Sequence, residues 1–222
     1  MHVFDELWRD HDRRMADAWD ATVNPGDLVL LPGDLSWARD LTGAAGDLAW
    51  IGRRTGEKLL LKGNHDSWWK SRRKVESALP AGCVLLQHDA HDVGPCVVVG
   101  ARGWTDPADP IAEPGDDVRF RRELERLKLS LDDADRRFGR SKTRVAMTHY
   151  PPWIADREPS DVVPLLEAGG VSICVYGHLH GEHHALARTG RHRGIDYRLV
   201  AADFVGFAPQ ALELAGREGD VP

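Results

Sequence analysis

No apolar stretch in this chain of 222 residues reaches the length of a membrane span, and its opening, MHVFDELWRDHDRR, carries no apolar signal core. A cytoplasmic protein is expected, with no membrane partner. Cysteine is scarce. Cys83, Cys96 and Cys174 lie far apart within apolar runs (CVLL, CVVVG, ICVYG), which suits reduced core residues and excludes a disulfide framework. Positive charge is short too: the formal net charge of -6 gives no general attraction to a phosphate backbone, so nucleic acid is not an expected partner. The Arg- and Lys-rich run from Arg119 to Arg144 is interleaved with Asp and Glu and reads as a solvated helix face.

What is present is ordinary globular composition, 42% apolar and 29% charged with Gly 22 and Pro 13, and the eight tryptophans are the unusual feature. The length suits one large α/β domain over residues 1–222. Helical periodicity and short apolar runs alternate. Phe4, Leu7, Trp8, Met15, Ala18 and Trp19 share one helix face, and further helices are expected over 44–55 and 68–79, through Phe120, Leu124, Leu127, Leu131, Ala134 and Phe138, and over 160–169 from a Ser160 cap. Strands are expected at 28–31, 58–61, 83–87, 95–103, 143–149 and 171–178. The tail segments HHALAR (183–188), YRLVAAD (197–203) and ALELA (211–215) read as further short strands, and 104–116, rich in Pro, Asp and Gly, as a long surface loop.

Four of these strands end in polar residues that are costly to bury without partners. LLPGD ends at Asp34, LLKGNHD at Asn64, His65 and Asp66, AMTH at His149, and CVYGHLH at His178 and His180. Strand C-terminal ends line the ligand crevice of an open α/β sheet, so these residues can converge although they are distant in sequence. A carboxylate, an amide and imidazoles make a mixed oxygen and nitrogen donor set suited to Mn, Fe or Zn. A glycine precedes Asp34, Asn64 and His178, where the chain must turn sharply. His65 could donate a proton to a leaving oxygen, with Asp66 fixing its ring.

The motifs GDLSW (33–37), GNHD (63–66), the strand-ending His149 and GHLH (177–180) together resemble the calcineurin-like metallophosphoesterases. Tryptophan-rich features (SW, SWW and RGWTDP) are similar to a bacterial cytoplasmic subgroup. The resemblance implies a four-layer αββα sandwich with two mixed sheets and two divalent metal ions. It implies hydrolysis of a small phosphorylated substrate, a monoester or a diester, by a metal-activated water. It also implies that Asp34 bridges the ions, that Asn64, His149 and His178 complete one site, that His180 belongs to the other, and that His65 is the general acid, with Asp66 beside it.

Members of that family open with a strand ending in D-x-H, which supplies two ligands to the first metal. This sequence shows no such segment, so an N-terminally truncated domain is expected, either a shortened reading of a longer protein or a weakly active or non-catalytic metal-binding scaffold. His2, Asp5, His11 and Asp12 are weak replacement ligands, because the last three fall in the first helix pattern. Trp37, Trp68, Trp69 and Trp104 read either as a wall around a substrate ring or as core fillers. Arg102 and Arg157 read as phosphate contacts or as salt-bridge partners. Tyr150 reads either as a pocket-lining residue or, within HYPPW, as part of a stiff turn that aims His149.

Overall fold

Side chains alternate along a strand, so one apolar run can serve two cores. In the run 59–61, Leu59 and Leu61 face one cluster and Leu60 faces another. That alternation builds the molecule, a computed structural model that describes residues 6–214. The smaller sheet contains β1 (Leu28–Leu31), β2 (Glu57–Leu60) and β3 (Cys83–Leu85), in that spatial order. The larger contains β4 (His91–Asp92), β5 (Cys96–Ala101), β6 (Thr143–Thr148), β7 (Val171–Tyr176), β8 (Gly190–His192) and β9 (Ile195–Leu199), in the order β4-β5-β6-β7-β9-β8.

Between the sheets, Leu59, Leu61 and Leu86 meet Val98, Val145, Met147, Ile173 and Val175. On the far side of the smaller sheet, Leu60 packs with Ala44, Leu48 and Ile51 of α2 (Leu41–Gly52), Val75 of α3 (Arg72–Glu76), and Trp68 and Trp69. On the far side of the larger sheet, Val97, Val99, Ala146 and Cys174 pack under Phe120, Leu127 and Leu131 of α4 (Asp116–Phe138) and Leu166 of α5 (Val162–Ala168). The layers are therefore helix, sheet, sheet, helix, as expected. The larger sheet is mixed, with antiparallel edges at β4-β5 and β8-β9. The smaller departs from expectation: both its pairings are parallel, because α2 and α3 lie in its crossover connections. Cys96 and Cys174 are buried, Cys83 is half-buried, and all three are free thiols.

Several boundaries differ from the sequence pattern for local reasons. The first helix is split into a 3-10 turn (Glu6–Trp8) and α1 (His11–Thr22), with Asp10 between them at φ 52°. Phe4 lies outside the described residues. α2 starts earlier than expected because Asp40 caps it, accepting from the Gly43 amide at 2.9 Å. α3 is short because Trp68 and Trp69 are drawn into the core before the chain turns helical at the Ser71 cap. HHALAR forms a 3-10 turn (Gly181–Leu186) instead of a strand, and residues 211–214 form none. No helix among the described residues is long and apolar enough to cross a membrane.

Ser130 ties α4 to the larger sheet. It is fully buried, its Oγ accepts from the Gly100 amide at 2.9 Å and donates to the Asp89 carbonyl at 2.6 Å, and Ala in its place would leave both groups without partners. Ser130→Ala is expected to cost about 1–3 kcal/mol in urea denaturation; a cost near zero would mean that these two backbone groups find other partners.

Candidate functional site

Parallel strands deliver their C-terminal ends to one side, and the polar residues after β1, β2, β6 and β7 meet there. His149 Nε2 lies 2.6 Å from Asn64 Oδ1, 3.3 Å from His178 Nδ1 and 3.5 Å from Asp34 Oδ2. His178 Nδ1 is 3.1 Å from Asn64 Oδ1. Four residues spread over 34 to 178 thus form one cluster. The carbonyl of Arg102, just past β5, accepts from the amides of both His149 and Tyr150 at 2.9 Å and so fixes where His149 leaves its strand.

Asp66 holds the two motif loops together. Its side chain is fully buried and accepts from the amides of Asp34 and Gly63 at 2.8 Å, Leu35 at 2.9 Å and Ser36 at 3.0 Å, and from the Trp68 indole at 3.0 Å. The pairing with His65 expected from their adjacency is not made, because these donors occupy both carboxylate oxygens. Burial pushes the Asp66 pKa up, while the Gly63 and Ser36 amides pull it back. The glycines serve the same junction: a Cβ on Gly63 would lie 2.1 Å from Asp34 Oδ1, and Gly33 takes φ +100° against the Gly63 backbone. Asp34 and His178 themselves adopt φ 58° and 71°, a left-handed region that side chains usually avoid and that concentrates at functional sites.

His65 is exposed; its amide donates to Asp34 Oδ1 at 2.8 Å and its ring stacks on Trp37 at 4.1 Å and 8°. Trp37 is half exposed, whereas Trp68 and Trp69 are core fillers. Trp104 packs against Tyr150, which in turn lies 4.2 Å from the His178 ring. Arg102 and Arg157 are matched by Glu123 and Asp109 at 3.2 and 2.8 Å, the salt-bridge reading of each. His180 stands apart from the four-residue cluster and bonds Asp203 at 2.7 Å. The sequence pattern did not single out Asp203; its signal was an Asp just past a strand, in VAAD. Of the weak replacement ligands, His2 and Asp5 lie outside the described residues, and His11 bonds the Trp8 carbonyl at 2.9 Å.

Burial holds the His149 and His178 pKa values down to about 3. For His149 the Pro32 carbonyl opposes this and Arg102 adds to it; for His178 the His149 ring adds to it. Both rings are therefore neutral near neutral pH. A neutral imidazole has one N–H, yet His149 faces two acceptors, the Pro32 carbonyl at 2.8 Å and, in this orientation of the amide, Asn64 Oδ1 at 2.6 Å. With its proton on Nδ1 toward Pro32, His149 directs a lone pair at another acceptor, with the His178 ring and the Asp34 carboxylate alongside. That donor set fits a divalent cation. Among the described residues, no three His, Cys, Asp or Glu side chains alone form a group that could hold a metal ion. The cluster depends on an amide oxygen, that of Asn64.

Two outcomes follow from this geometry. Asp66→Ala strands five N–H groups that shared a charged acceptor, each such bond worth about 1.5–3 kcal/mol, so it is expected to cost several kcal/mol in denaturant unfolding; His65→Ala, at an exposed ring, is expected to cost under about 1 kcal/mol. Equal costs would contradict the junction role of Asp66. The two imidazoles take up protons near 6.5 in the unfolded chain but only near 3 when folded. Their contribution to stability is thus complete above about pH 6.5 and declines as pH falls toward 3, by up to about 1.4 kcal/mol per pH unit for each ring. Metal-free His178→Asn is expected to show a shallower decline than the parent in unfolding midpoints across that window; an unchanged slope would refute the assignment.

A profile described as "Calcineurin-like phosphoesterase" matches residues 1–182. The chain is 34% identical over 79 residues to the Gene 66 protein of Mycobacterium phage L5, and 39% identical over 57 residues to the Gene 66 protein of Mycobacterium phage D29. These stretches cover 36% and 26% of this chain, and 38% and 28% of the two relatives' own length. With the match to the profile over most of its length and the two-sheet sandwich, the chain belongs to the calcineurin-like phosphoesterase family.

Proposed function

We propose that this chain by itself holds one divalent ion, Mn, Fe or Zn, through Asp34, Asn64, His149 and His178, and binds a small phosphoester there with weak turnover or none. The observation that carries this is the buried neutral His149, which faces two acceptors with one proton. An ion in that place would polarise a phosphoryl oxygen and offset charge developing on it. His65, exposed beside Asp34, is the proton donor to the leaving oxygen, and the Trp37 indole orients its ring. Asp66 acts on it only through the backbone it holds. The second site of the family has Asp34 and His180 here, too few ligands for firm binding.

A second reading, hydrolysis at a complete two-metal centre, is favoured by one observation: His180 is already oriented by a buried carboxylate. Native mass spectrometry after Mn²⁺ reconstitution separates the two. One ion per chain is expected for the parent and none for His149→Ala, with hydrolysis of p-nitrophenyl phosphate close to background and removed by Asp34→Asn. Two ions with rapid turnover would establish the second reading instead, and no bound ion would overturn both.

A further inference from the structure

β7 and β9 are parallel neighbours with Tyr176 opposite Leu199, and the Val200 amide donates to the Tyr176 carbonyl at 2.8 Å. Each chain then runs four residues further, one to His180 and the other to Asp203. The carboxylate found there is 1% exposed, while the imidazole it meets is 41% exposed. Its Oδ1 lies 2.7 Å from His180 Nδ1, and its Oδ2 accepts from the Gly181 amide at 2.9 Å. His184 Nε2 is 3.2 Å from Oδ2 but lacks hydrogen-bond geometry, and the Trp8 ring packs edge-on to His180. A turn needing only a cap would be served by the Gly181 contact alone. The second oxygen is directed at a ring nitrogen.

A carboxylate can only accept, so the proton of this contact belongs to Nδ1. We propose that Asp203 is a positioning residue for His180: it keeps the ring proton on Nδ1 and so presents the Nε2 lone pair to a divalent cation. The cation-facing half rests on reading His180 as a ligand of the family's second site. A carboxylate behind a ligating imidazole orients the ring and raises its basicity, and its loss typically weakens metal affinity 10- to 100-fold.

Long-range ¹H–¹⁵N correlation spectra of the full chain without metal show which ring nitrogen carries the proton. Nδ1–H is expected at His180 in the parent, and a shift toward Nε2–H in both Asp203→Ala and Asp203→Asn, because the Asn oxygen is taken by the Gly181 amide and its NH2 then donates to Nδ1. Unchanged His149 and His178 signals verify folding. In a Zn²⁺ titration carried past one ion per chain, the His180 Nε2 resonance is expected to move in the parent, and to need roughly 10- to 100-fold more Zn²⁺ in Asp203→Ala and in Asp203→Asn. An Nε2–H ring in the parent, or a proton position and Zn²⁺ response unchanged in Asp203→Ala, would overturn the proposal. If Zn²⁺ moves His180 in none of the proteins, its role as a ligand fails, and the proton position alone decides whether Asp203 sets the ring.

Discussion

The buried Asp66 carboxylate is the contact on which the rest of the site depends. Four backbone amides and one indole point at it, from residues that come from two loops and would otherwise be dehydrated without acceptors. Because the donors are fixed in the backbone, the carboxylate sets the distance between the loop after β1 and the loop after β2. That distance lets Asp34 Oδ1 accept from the His65 amide and places Asn64 against His149. Glycine at 33 and 63 follows from the same closeness, since a methyl group on either would overlap the opposite loop.

The candidate ligands are then held in unfavourable circumstances that reinforce one another. Asp34 and His178 adopt positive φ, and two imidazoles are buried where protonation is strongly disfavoured. Each condition costs stability in an isolated fold. Together they gather these side chains around a common point with both rings uncharged, a state that cation binding requires. Around this point the supporting contacts come from the larger sheet: the Arg102 carbonyl anchors His149, and Tyr150 packs on the His178 ring.

His180 differs from His149 in its degree of exposure and in its support. His149 is oriented by a backbone carbonyl across the gap between the sheets, whereas His180 is oriented by a carboxylate from the neighbouring strand end. One imidazole therefore belongs to the tightly closed cluster and the other to a more open rim. This division sets the two histidines of the GHLH motif in different surroundings, one against Asn64 and His149 and the other against Asp203.

The amino-acid sequence by itself determined the alternation of apolar strands and amphipathic helices, and it marked Asp34, Asn64, His149 and His178 as strand-end residues of the types that bind cations. It could do so because strand period, helix period and the costly placement of polar groups after apolar runs are local properties. The role of Asp66 was not legible, since its partners are backbone amides, which leave no signature in residue identity, and adjacency suggested His65 instead. Asp203 was equally hidden: only the register of β7 against β9 sets it beside His180. Which tryptophan faces solvent, and that the smaller sheet is parallel, were likewise decided by tertiary structure, because burial and pairing depend on which surfaces meet across long stretches of chain.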